Sequence, residues 1–239
     1  MLVEGKNTVK ELVESGATIN KLFVQNNLRD NFSNQIIKMA KERRLRIDFV
    51  SKEFLDKKSE SKRHQGFICD TVEFAYSEID EILDYAQSKG QAPFLVILDG
   101  IEDPHNFGAI IRTCECAGVH GIIIPKHRAC QVNETVIKTS AGAAANMKIA
   151  SVTNLNNCIE VLKKQGVWVY GLELGGKDIY KTNLKGSIAL IVGSEGFGIS
   201  RLVKENCDEV VTLPQNGKIN SLNASVACGI AVYEILKQR

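Results

Sequence analysis

LPQNGKINSLNASVACGIAVYEIL, residues Leu213 to Leu236, decides how the chain is read. It begins as the end of an apolar strand, crosses a polar loop closed by Gly217, and enters a helix that Asn220 or Ser221 would cap. Leu222, Val226, Ile230 and Tyr233 fall on one apolar stripe of that helix. Four side chains able to hydrogen-bond, Asn220, Ser221, Asn223 and Ser225, crowd its first turn, where one or two would satisfy the free N–H groups. The surplus points to a ligand at the helix start. The alternative is an over-capped helix under a surface loop, since Ser and Asn are ordinary there.

Outward from this stretch, Ala92–Arg239 alternates short apolar runs with helical segments or long turns. Phe94–Leu98, Gly121–Ile124, Met147–Val152, Val167–Leu172, Ile188–Val192 and Val210–Leu213 read as strands of a mostly parallel sheet covered on both faces. Ligands of such sheets sit beyond the carboxyl ends of the strands. Three of those ends carry unusual loops: Asp99–Arg112, Gly193–Ser200 and Pro214–Ser225. In the second, Gly193-Ser-Glu-Gly-Phe-Gly198 runs from a strand into a helical stretch, Ile199–Glu205, so backbone can approach a ligand closely. Its glycine order is neither a dinucleotide fingerprint nor a P-loop, which leaves a nucleotide-like cofactor. In the first, a helix opening at Asn106 places Arg112 between Ile110, Ile111 and Cys114, near its apolar side. Desolvating a guanidinium there demands an anion or carboxylate, either a ligand or a structural partner such as Glu195 or Asp99.

Residues 1–70 read as a small α/β unit: a helix through Val9, Leu12 and Val13, a strand Lys21–Val24, a helix through Ile36 to Ala40, then strands Arg46–Val50 and Phe67–Val72. They hold 14 Lys or Arg against 10 Asp or Glu, whereas the rest of the chain is slightly acidic. Basic clusters at Lys38–Arg46 and Lys57–Arg63 suit either a solvated face or a phosphate backbone. The helical spacing of 77–90 stops at Gly90, which gives a domain at 1–72, a connecting helix at 73–90 and a second domain at 91–239. No apolar run of this 239-residue chain reaches the ~20 residues of a membrane span, and MLVEGKNTVKEL lacks the order of a secretory signal, so a cytoplasmic protein is expected. Seven cysteines, mostly in apolar segments, read as reduced thiols, and Cys114-x-Cys116 has no partner pair for a metal. His105, His120 and His127 are read as loop or packing residues, and His64 as a loop residue of a basic turn, with RNA contact as its alternative.

DPHNFGAIIRTCECAG, ALIVGSEGFGIS and LPQNGKINSLNASVACGIAVYE, in this order, resemble the three motifs of the SpoU/TrmH group of the SPOUT RNA methyltransferases. VEGKNTVKELVE and HQGF resemble the L30e-like substrate-binding domain of RlmB-like ribosomal-RNA ribose methyltransferases, which modify a guanosine of large-subunit RNA. The resemblance implies an α/β fold, a small N-terminal domain followed by a SPOUT domain whose C-terminal segment forms a trefoil knot, and S-adenosylmethionine-dependent methylation of a ribose 2′-oxygen. It implies a cofactor held by Gly193, Leu213 and Leu222 with Ser194 and Gly196, a catalytic group of Arg112, Asn106, Glu195, Ser221 and Asn223, no metal, and a homodimer acting on RNA. Since a guanidinium is a poor proton acceptor, Arg112 is expected to grip phosphate and a developing alkoxide. A transfer-RNA ribose methyltransferase and a non-catalytic RNA-binding protein of the same fold are the alternatives.

Overall fold

The computed structural model describes residues 2–14, 19–59, 61–71, 74–217 and 221–239. The first elements are β1 (Leu2–Glu4), α1 (Lys6–Glu14), β2 (Ile19–Gln25), α2 (Asn31–Glu42), β3 (Ile47–Val50), α3 (Lys52–Lys58) and β4 (Phe67–Thr71). They continue with α4 (Ile79–Ser88), β5 (Phe94–Asp99), α5 (Pro104–Cys116), β6 (Gly121–Pro125), α6 (Glu134–Thr139), β7 (Ile149–Val152) and α7 (Leu155–Lys164). The last are β8 (Trp168–Asp178), β9 (Ile188–Gly193), α8 (Arg201–Glu205), β10 (Glu209–Thr212) and α9 (Ala224–Gln238).

The chain divides into two compact units, 1–75 with 132–146, and 76–131 with 147–239. Placing 132–146 with the first unit departs from a division at residue 91. Glu134 explains part of it, because its carboxylate accepts the backbone N–H of Glu4 in β1 at 3.1 Å. The first unit holds a sheet of order β1-β4-β2-β3, with α3 covering Phe23, Ile68 and Val50 through Leu55. β1 and α3 had no clear sequence signal: three residues are too few for a period, and α3 lies in a lysine-rich stretch capped by Ser51. His64 is buried rather than free for RNA. Its Nδ1 accepts from Gly66 N at 3.0 Å and its Nε2 meets Asp56 at 3.0 Å, which pins the turn.

The second unit is a six-stranded sheet of order β10-β8-β9-β5-β6-β7, parallel throughout. FLVILD, GIIIP and IALIVG are near-continuous apolar runs because helices cover both faces, and Leu95, Ile97, Ile123, Ala189 and Ile191 lie in one core with Ile159 and Leu162 of α7. Sequence order changes direction at β5, since β6 and β7 lie to one side and β9 and β8 to the other. Asp99 is the register partner of Gly193, so the loops after β5 and β9 leave the sheet side by side at this switch point. β8 runs to Asp178, six residues beyond Leu172, because β10 pairs along its extension past an irregularity at Val210/Val211. Among the described residues, no helix is long and apolar enough to cross a membrane.

Candidate active site

Three helix starts lie at the switch point, and each helix begins away from where the sequence suggested. α5 opens at Pro104 rather than Asn106, with Asp103 accepting from His105 N at 3.3 Å and Asn106 N at 3.0 Å. Pro104 suits the first helical position, because its missing N–H would have had no partner there. α9 opens at Ala224, and its cap is Asn223, whose Oδ1 accepts from Ser225 N at 3.0 Å and Val226 N at 3.3 Å. Asn223 thus replaces Ser221 as the cap, and Asn220 lies outside the described residues. α8 begins at Arg201, two residues after Ile199, with Ser200 at its N-cap.

Asn106, Glu195 and Asn223 meet. Asn106 Nδ2 donates to Glu195 Oε1 at 3.0 Å, and Asn223 Nδ2 donates to the same oxygen at 2.5 Å and to Asn106 Oδ1 at 2.9 Å. Ala224 N, the first residue of α9, also donates to Glu195 Oε1, at 3.3 Å. One carboxylate oxygen therefore ties the starts of α5 and α9 to the loop after β9. A negative charge is well placed at a helix N-terminus.

The loop carrying Glu195 is held closed by its own backbone. Ser194 N donates to Gly198 O at 3.1 Å and Gly198 N to Ser194 O at 3.0 Å, with Gly196 and Gly198 at φ +90° and +67°. The returning strand crosses over Gly193, where any Cβ would collide with the Gly198 carbonyl and the Ile199 nitrogen. Two acids anchor this crossing: Glu173 accepts from Ile199 N at 3.1 Å and Asp99, offered by the sequence only as a partner for Arg112, from Ser200 N at 2.7 Å. Asp99 ends β5, whereas Glu173 lies within β8 and carried no sequence signal for this role. The loop's tip, Phe197, is 93% exposed.

A cavity of about 600 Å³ opens on one side of this loop, within the usual size range for small-molecule sites. Gly193, Ser194, Gly196, Leu213 and Leu222, the five residues expected to hold a cofactor, all line it, as do Glu195, Ser221 and Asn223. Leu172 and Ala227 add apolar surface, and Thr212 and Gln215 add polar groups. Such a mixed lining suits a ligand with a flat heterocycle and a charged tail.

Arg112 departs from expectation. It is exposed instead of sitting on the apolar side of α5, where Phe107, Ile110, Ile111 and Cys114 are buried, and it lines neither this cavity nor the junction. Among the described residues it forms no ion pair with Glu195, Asp99 or any other acid, so it is not a structural salt bridge. α9 also inverts the sequence reading. Its buried face is Ala224, Cys228, Ala231, Val232 and Ile235, while Val226, Ile230 and Tyr233 stand exposed along the stripe expected to be core, and Leu222, the stripe's first member, lies ahead of the helix and is exposed too. α9 packs against α5 through small residues, with Gly229 beside Thr113. The histidines split: His120 is buried and bonded at both ring nitrogens, to Phe94 N at 2.9 Å and Gln91 Oε1 at 2.9 Å, whereas His105 and His127 are exposed.

Residues 93–233 match the family model described as the SpoU rRNA Methylase family, and residues 2–77 match the one described as RNA 2′-O ribose methyltransferase substrate binding. YacO of Bacillus subtilis, named as a TrmH family tRNA/rRNA methyltransferase, is 41% identical over 99% of this chain and 95% of its own length. A protein of the same description from Staphylococcus saprophyticus is 39% identical over 100% of this chain and 96% of its own. The fold is that of the SpoU methyltransferase AviRb from Streptomyces viridochromogenes, solved in complex with the cofactor AdoMet, at a TM-score of 0.82 and 22% identity over 100% of this chain and 90% of that one. This chain is therefore a methyltransferase of the SpoU/TrmH family.

Proposed function

We propose that the chain methylates a ribose 2′-oxygen in RNA with S-adenosylmethionine, at the junction of Asn106, Glu195 and Asn223. The observation that carries this reading is the position of that junction, on the rim of a cavity whose size and lining suit the cofactor. Gly193, Ser194, Gly196, Leu213 and Leu222 would hold it, the leucines against its apolar parts and the loop backbone against its polar ones. Bound there, it supplies a sulfonium methyl group.

The chain's own contribution is positioning, because the acceptor oxygen must be held at ~3–3.5 Å from the methyl and in line with it. Glu195 Oε1 already receives three N–H groups, which makes Glu195 an orienting group for the two asparagines. Each amide nitrogen carries two N–H groups. Asn106 spends one on Glu195 and keeps the other for a ribose oxygen. Ser221, also lining the cavity, adds a hydroxyl. Arg112 lies away from these groups on its own subunit, so its role at the reaction requires a partner.

We infer a two-fold dimer in which the exposed stripe of α9 is covered by the same stripe of a second copy and Arg112 reaches the partner's site. Three large apolar side chains in a row on α9, Val226, Ile230 and Tyr233, mark an association surface rather than scattered exposure. The C-terminal segment is proposed to thread a trefoil knot, one of the rare exceptions to unknotted folds. The proposed substrate is a guanosine of large-subunit ribosomal RNA, read by the basic first unit in the cytoplasm. The match of residues 2–77 to a substrate-binding model supports that division of labour.

Labelled methyl transfer to in-vitro transcribed ribosomal RNA tests the reading, with Glu195→Gln run beside the wild type. A neutral amide cannot hold both asparagines as acceptor and also match the helix N-terminus, so the variant should lose roughly 10²–10³-fold in turnover. Equal rates for the two proteins would remove the junction from the mechanism.

A further inference from the structure

Sharing the same loop with the cofactor cavity, a second cavity of about 680 Å³ is bounded by the segments 99–106, 125–128 and 194–200. Ser194, Glu195, Phe197 and Gly198 line both cavities, and Asn106 lines the second while bonding to residues that line the first. The two spaces therefore meet at the junction of Asn106, Glu195 and Asn223. We propose that this second cavity is the acceptor pocket, taking one unstacked nucleotide of single-stranded RNA with its base against Phe197 and its phosphate at Arg128. The inference rests on the proposed RNA methyl transfer and assigns that reaction's acceptor a place.

Three observations select this occupant. Phe197 is an aromatic ring 93% exposed at the tip of a loop closed by two backbone hydrogen bonds. A rigidly mounted, solvent-facing ring is a stacking platform, and every base has a face to offer it. Arg128, also lining the cavity, stands exposed with its backbone at φ +56°, a conformation uncommon for a residue with a side chain, and among the described residues it has no hydrogen bond or ion pair. Strain of this kind persists where the surroundings impose it, and it collects at binding sites.

The remaining charges reject other occupants. Asp99, Glu102, Asp103 and Glu195 also line the cavity, so a run of phosphates would be repelled. A neutral base tolerates them, and Glu102, exposed and without a partner among the described residues, is an acceptor for base N–H groups. One phosphate on the rim at Arg128, beside His127, completes a nucleotide. A base drawn out of the stack into a pocket is the general solution when an enzyme must reach an atom of a structured nucleic acid.

The test uses the full chain with transcribed large-subunit ribosomal RNA and a pool of transfer-RNA transcripts as probes. Wild type, Phe197→Ala, Phe197→Trp and Arg128→Gln are compared for methylation KM and kcat, for S-adenosylmethionine affinity by calorimetry, and for melting temperature. Phe197→Ala should raise the RNA KM by roughly ten- to hundredfold, the cost of one lost stacking platform, and Phe197→Trp should restore most of it. Arg128→Gln, which is absent from the lining of the cofactor cavity, should raise the RNA KM and flatten its salt dependence while cofactor affinity and melting temperature hold. If the wild type methylates RNA and both Phe197→Ala and Arg128→Gln keep its RNA KM, the acceptor pocket is overturned while the methyl-transfer reading stands. If the wild type binds cofactor but methylates neither probe, the methyl-transfer reading falls and the pocket falls with it.

Discussion

Asn223 does two things at once, and a pair of substitutions separates them. Its Oδ1 caps α9 by accepting from Ser225 N, Ser225 Oγ and Val226 N, while its Nδ2 donates to Asn106 and Glu195. Asn223→Ala removes both functions. Losing an N-cap costs about 1 kcal/mol, which for a chain of this size lowers the melting temperature by about 2–4 °C. Asn223→Asp keeps the acceptor, and Asp caps as well as Asn and complements the helix dipole. It deletes the donor, however, and sets a second carboxylate where Nδ2 now lies 2.5 Å from Glu195 Oε1. The two acids repel, Glu195 turns away, and Asn106 loses its orientation. Thermal melting, calorimetry with S-adenosylmethionine and single-turnover methylation on both variants give the readout. Asn223→Asp should melt closer to the wild type than Asn223→Ala does, yet lose roughly 10²–10³-fold in rate as strongly as the alanine variant. A fully active Asn223→Asp enzyme would refute the reasoning, since it would show that the hydrogen bonds to Glu195 and Asn106 do not set the reacting geometry.

Gly193→Ala should abolish cofactor binding, measured by calorimetry, because its Cβ would displace the Gly198–Ile199 backbone that walls the cavity; Gly196→Ala, with nothing near its Cβ, should show only the ~1–2 kcal/mol strain of φ +90°. Arg112→Ala and Glu195→Gln, each nearly inactive alone, should regain about a quarter of the wild-type rate when mixed and re-equilibrated, since half the dimers then carry one intact shared site; no recovery would place Arg112 outside the partner's site. Val226→Asp with Ile230→Asp should convert the dimer to a monomer in light scattering. Burial, with help from the nearby charges of Arg239 and Lys89, depresses His120 to about 4 from an ordinary 6.5, so the unfolded chain takes up the proton first. Stability from this group is full above pH ~6.5 and falls as pH drops toward ~4, and His120→Gln should flatten the melting temperature over that window.

The second unit was legible because FLVILD, GIIIP and IALIVG are buried on both faces, and a parallel sheet leaves few other readings for such runs. Gly193, Ser194, Gly196, Leu213 and Leu222 came from the likeness of two loops to the family's motifs, and all five line one cavity; Gly193 and Leu213 lie at strand ends, whereas Leu222 stands ten residues past β10. Arg112 and the stripe of α9 were misread for one reason. Apolar spacing marks a face that wants cover without saying whether the same chain supplies it, so Val226, Ile230 and Tyr233 read as core. Residues 132–146 group with the first unit through long-range attachments, among them the hydrogen bond from Glu4 N to Glu134, that no local sequence pattern records. Glu173 was missed, and Asp99 was given the wrong partner, because both accept backbone N–H groups from a loop far along the chain.

The central claim is that the methyl group goes to a ribose oxygen of RNA. Nucleoside mass spectrometry of unmodified ribosomal-RNA and transfer-RNA transcripts, treated with the enzyme and S-adenosylmethionine carrying a deuterated methyl, tests it most directly. The account predicts one labelled nucleoside whose label stays with the sugar after the glycosidic bond is cleaved, and which Glu195→Gln fails to produce at the wild-type rate. A label that leaves with the base, or RNA that stays unlabelled under an enzyme that binds the cofactor, would contradict it.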